Sequence, residues 1–183
     1  DMAASNGGQG NAASGTYVAW CWKAGGAAVS NSDGNITSSV SVNDEAGFSI
    51  VSYTGNGSNG QTVGHGLSQA PQWIILKNRD ATQNWRVWHH SLATDGSKRL
   101  LLDATNASEN AAFLNDTAPT STVFTLGNAD DAWNANGDKF IAYCWHEVPG
   151  FSKFGSYEGN NNNDGPFINL GFRPAWVMIK RYE

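Results

Sequence analysis

Three stretches of this chain hold residue types that do chemistry. Residues 55–60, GNGSNG, spell G-x-G-x-x-G. A dinucleotide site with that spelling needs a helix directly after it, so that the helix N-terminus meets the pyrophosphate. Here QTVGHG follows, and its glycines break a helix. The stretch therefore reads as a glycine-rich turn. The second candidate is His89-His90-Ser91. Neighbouring residues on a strand point to opposite faces, so two adjacent imidazoles are poorly placed to share an ion. No G-x-S-x-G elbow surrounds Ser91, and His65 and His146 lie in other segments.

The third stretch, residues 128–138 (NADDAWNANGD), carries more weight. Asp131, Asn134, Asn136 and Asp138 concentrate oxygen donors of the kind calcium takes. Residues 158–165 (EGNNNNDG) do the same, and neither stretch has EF-hand spacing. Asn and Asp also tolerate left-handed turn geometry, so plain turns explain both stretches equally. Trp133 sits among these polar residues. With Asp130, Asp131 and Asn134 beside it, an exposed ring would make a stacking face for a sugar. The other reading is a tryptophan packed on its own loop. A glycosidase would need two carboxylates across a groove, about 5–9.5 Å apart, and two adjacent aspartates do not supply that spacing. No enzyme is expected.

Composition bounds what must position these residues. The chain has 183 residues, a net charge of −5, only 15% charged residues, 21 glycines and 8 tryptophans. Low charge with abundant Gly, Asn and aromatics favours short strands and many turns over helices. An acidic balance gives no basic stripe for phosphates, so nucleic acid is not an expected partner. No apolar run approaches the length of a membrane-spanning helix, and no signal peptide is visible; a membrane is not an expected partner either.

Residues 1–16 are small and polar and read as a flexible lead-in. Residues 17–23 (YVAWCWK) alternate as a strand, and SVSV at 39–42 allows an edge strand. Residues 48–54, 72–77, 85–89, 100–102, 121–126 and 140–145 read as further strands, and 104–113 as the one helix. Short strands at this spacing predict an all-β, antiparallel sandwich or jelly roll.

The chain also repeats itself. Phe48, Trp73 and Lys77 recur 103 positions later as Phe151, Trp176 and Lys180. YVAWCWK at 17–23 recurs 123 positions later as FIAYCWH at 140–146. A fixed period is the mark of a modular chain. The predicted divisions are a terminal strand of a preceding unit with a linker (17–46), a complete unit of about 100 residues (47–149) and the start of a second unit (150–183). Recurring tryptophans read as core, and Cys21 and Cys144, at matching places, as two buried thiols and not a disulfide.

Residues 17–26, 47–80, 118–127, 140–160 and 171–181 together resemble a repeated domain found in tail-fibre and other virion structural proteins of marine bacteriophages. That domain has no assigned activity. The resemblance implies a phage virion protein, located in the virion or outside the cell. It implies a homo-oligomer, typically a trimer, beside other virion subunits, with loops offered to a cell-surface carbohydrate. A capsid decoration protein or tail adaptor making only protein contacts is the nearest alternative, and a bacterial extracellular filament protein the next.

Overall fold

A computed structural model describes residues 14–127 and 130–183. Among these residues, ten strands form two antiparallel sheets: β1 (Val29–Asn31), β2 (Ser38–Asn43), β3 (Phe48–Thr54), β4 (Gln61–Gly64), β5 (Trp73–Asn78), β6 (Arg86–His89), β7 (Lys98–Leu101), β8 (Glu109–Asn110), β9 (Val123–Leu126) and β10 (Lys139–Trp145). The large sheet has the order β1-β2-β3-β10-β5-β6-β7-β8, and β4 and β9 form a separate ribbon. The fold is all-β, as composition predicts.

The last strand, β10, lies at the centre. It pairs with β3 along Phe140↔Tyr53, Ala142↔Val51 and Cys144↔Ser49, and with β5 along Ala142↔Leu76 and Cys144↔Ile74. Side chains alternate across a strand, so this register sorts two faces. Val51, Tyr53, Ile74, Leu76, Trp88, Phe140, Ala142 and Cys144 point inward, onto Val63, Phe113, Phe124, Leu126 and Trp133. Phe48, Trp73, Ile75, Val87, Leu100 and Trp145 point outward, where Ala24, Phe154 and Tyr182 from the flanking segments pack on them. Each fully buried large side chain contributes roughly 1.5–3 kcal/mol. A strand that buries both faces is therefore the one the sheet can least lose.

The structure corrects several expectations. β1 and β2 pair in the same sheet as β3, across the division expected at residue 47. Residues 104–113 form no helix: Glu109 and Asn110 pair with β7, and the amides of Ser108 and Ala111 donate to the carbonyls of Tyr182 and Ser97. Glu109 is held in β8, opposite Arg99, with an ion pair of 3.0 Å. The single helical turn among the described residues is the 3-10 segment Asp44–Ala46. Residues 18–23 and 176–180 join no sheet among the described residues, and Phe151 lies in a turn where the amides of Phe151 and Ser152 donate to the Val148 carbonyl at 3.0 and 2.9 Å. A strand needs a neighbouring strand to satisfy its backbone, and among the described residues, 18–23 and 176–180 have none. Cys144 is buried as expected, whereas Cys21 is exposed, and both thiols are unbridged. The lead-in lies mostly outside the described residues.

Candidate functional site

The loop after residue 129 is built by Asp130. Its carboxylate accepts from the Ala132 amide at 2.7 Å, and its carbonyl accepts from the amides of Trp133 and Asn134 at 3.1 and 2.9 Å. This tight turn throws Trp133 inward. The ring is 1% exposed, edge-on to Phe113 at 5.3 Å, with the guanidiniums of Arg86 and Arg99 5.9 and 5.4 Å from its centroid. The Tyr53 hydroxyl donates to its carbonyl at 2.7 Å. Trp133 is a core residue and offers no stacking face to a sugar, which corrects that expectation. The polar sequence around it hid a hydrophobic anchor.

The oxygens expected to suit calcium tie loops together. Asn134 is fully buried; its Oδ1 accepts from the Asn56 amide at 3.0 Å and its Nδ2 donates to the Ser58 carbonyl at 2.7 Å. This side chain is what shapes the GNGSNG turn. Asp138 accepts from Asn78 Nδ2 at 2.8 Å, and the same amide donates to the Asp131 carbonyl at 2.6 Å. The side chains of Asp131 and Asn136 are exposed. Among the described residues, no group of three or more His, Cys, Asp or Glu gathers to hold a metal. Residues 128 and 129 of this stretch lie outside the described residues.

The histidines stand apart as structural groups. His65 accepts from the Leu67 amide at Nδ1 (3.1 Å), which leaves Nε2 to donate to the Thr120 carbonyl at 3.1 Å. Its burial pushes the pKa down. His89 accepts from the Ser91 amide at 3.1 Å; burial, and then the neighbouring His90, bring its pKa down to about 4. The His89 and His90 rings are 4.9 Å apart, closer than opposite strand faces allow, because the strand ends at His89. His146 lies 3.6 Å from Asp44. The Asp44 pKa is lowered chiefly by hydrogen bonding to Ser68 and further by this imidazole.

The sheet register creates one feature the linear sequence does not show. A shallow groove of about 410 Å³ crosses the outer face near the β1 edge. Ser39 pairs with Ser30 on one side and Ser52 on the other, and Lys139 pairs with Thr54. Arg79 completes the lining. The only signal in the sequence is a serine in each of three separate strands, which carries no meaning until the strands are aligned.

The whole chain, residues 1–183, matches the family described as Domain of unknown function (DUF7483). The chain belongs to this family. No curated protein and no solved structure matches it. In this DUF7483 chain the groove offers hydroxyls and two cations. That chemistry exchanges hydrogen bonds with a polyol and attracts a carboxylate or sulfate.

Proposed function

We propose that this chain is a structural module of a bacteriophage virion: a tail-fibre segment, extracellular and oligomeric, that presents a surface to a host glycan. One observation carries the reading. Strand sequences from the centre of the β body recur on both sides of it, the arrangement expected where similar units stack into a fibre. The resemblance to tail-fibre domains supports the virion setting and a trimer. The body is read as a sandwich-like repeat unit, the large sheet forming one layer and the β4–β9 ribbon with the loops after β8 and β9 the other. Its action is presentation and not catalysis, and it requires no cofactor.

The groove near the β1 edge is the surface that meets the glycan. Ser30, Ser39 and Ser52 supply hydroxyls, while Arg79 and Lys139 suit an acidic sugar. Binding of the purified chain to bacterial lipopolysaccharides and acidic polysaccharides, measured by biolayer interferometry, tests this. The expected result is salt-sensitive binding that weakens about tenfold in Arg79→Ser, the loss of about 1.4 kcal/mol. No binding to any glycan would end the attachment reading and leave the capsid-decoration or adaptor alternative, which the exposed apolar flanks favour on their own. Those flanks suit protein contacts.

A further inference from the structure

Among the described residues, thirteen large hydrophobic side chains are exposed, and all but Val29 lie in residues 17–22 or 151–179. The body keeps its apolar groups inside; the flanks do not. Among the described residues, 18–22 and 176–180 find no backbone–backbone hydrogen-bond partner. Two extended, apolar segments with open backbone edges are a template for strand addition.

What they fit is written in their own sequence. Residues 17–23 correspond to β10, displaced by 123 positions. The stretch around Phe151 corresponds to β3, and residues 176–180 to the start of β5, each displaced by 103. These are the three central strands, and in the body β10 lies between the other two. The flanks thus hold a second β3-β10-β5 set, with its middle strand before the body and its outer strands after it. Burial shows what is unfilled. Ile74, Leu76 and Cys144 are completely buried in the body, but Val177 is 60% and Ile179 67% exposed, and Cys21 is exposed.

Within one chain the set does not close. Trp22 and Trp176 correspond to Trp145 and Trp73, which stack at 4.2 Å and 23°. Trp22 and Trp176 meet only edge-on, at 5.4 Å and 87°, and Trp22 also leans on Trp145 at 6.0 Å. The segment after the body is fastened to the body instead. The Ser108 amide donates to the Tyr182 carbonyl at 2.8 Å, and Lys180 Nζ donates to the Ala104 carbonyl at 2.5 Å.

We infer that the segment preceding the body in one copy of this chain inserts as a middle strand between the two segments following the body in a second copy, in the register of β3-β10-β5. The inference rests on the modular part of the proposed function and is independent of glycan binding. The register is specific. Cys144 faces Ser49 and Ile74, so Cys21 of one copy faces Ser152 and Val177 of the other. Met178, the equivalent of Ile75, faces Trp20 instead.

Oxidative crosslinking of the full chain reads this directly. Val177→Cys, with native Cys21, should give disulfide-linked dimers or a ladder on non-reducing electrophoresis, at several-fold higher yield than the wild type. Met178→Cys should stay at the wild-type level, and Cys21→Ser in the Val177→Cys background should abolish the product. Both substituted positions are exposed, and a circular dichroism spectrum matching the wild type establishes that the body is folded. A disulfide formed within single chains would overturn the proposal, since the segments would then close on themselves. Equal crosslinking at 177 and 178, or none, would also overturn it. A chain that binds no glycan yet forms the register-specific product would lose the attachment reading and keep this one.

Discussion

Cys21 and Cys144 occupy matching places in YVAWCWK and FIAYCWH, but only the second is enclosed by neighbouring strands. Burial pushes the Cys144 thiol well above its ordinary pKa, so it holds its proton in the folded chain. At a dilution where light scattering reads single copies, titration with a disulfide reagent at pH 8 should therefore find one fast thiol per native chain and two after denaturation. The histidines make a second residue-scale prediction. The folded pKa of His89 is about 4, against an ordinary value of 6.5, so between these pH values the unfolded chain binds the proton that the folded chain refuses. The stability this group contributes is complete above pH 6.5 and is lost as pH falls toward 4. His65, also lowered, acts with the same sign, and Asp44 extends the loss below its ordinary value of 3.8. Urea midpoints measured at pH 7 and pH 4.5 should show the lower value at 4.5, with a smaller difference in His89→Gln.

At the scale of elements, single side chains close the loops between strands. Asn134 links the turn after Asp130 to the GNGSNG turn through two hydrogen bonds made from a fully buried amide. Asn134→Ala leaves the Ser58 carbonyl and the Asn56 amide without these partners and should cost about 2–3 kcal/mol in urea unfolding. Calcium should not restore the loss if the amide acts only as this link. Gly47 ends the 3-10 turn ahead of β3 with φ at +62°, and a Cβ there would stand 2.5 Å from the His146 carbonyl oxygen. Gly47→Ala should destabilise by about 1–3 kcal/mol, from left-handed strain together with that clash. Both substitutions are read as a shift in unfolding midpoint with an unchanged slope, the sign that stability has changed and compactness has not.

For the whole molecule, the division between a closed body and open flanks sets the solution behaviour. If the flanks join copies, mass by light scattering should rise with protein concentration. Trp20→Lys, at a position 65% exposed, should hold the mass near 19.5 kDa without lowering the unfolding temperature. A concentration-independent trimer that Trp20→Lys does not affect would place the oligomer contact elsewhere on the body.

Low charge and short apolar runs bounded by turn residues determined the all-β class and located β2, β3, β5, β6, β7, β9 and β10, because strands that bury apolar faces must be short and end where Gly, Asn or Pro turns the chain. The sequence also disclosed the recurrence that relates the flanks to β10, β3 and β5. It could not show that Trp133 is core, because polar neighbours set the local pattern while the inward turn comes from hydrogen bonds made by Asp130 and Tyr53. It misplaced residues 104–113, where pairing with β7 overrides local preference. The serine-lined groove depends on the register of three strands, a long-range property with no local trace. Tertiary structure alone decided which of two similarly patterned segments becomes a strand. FIAYCWH lies between β3 and β5 and is buried, while YVAWCWK has no flanking strands among the described residues.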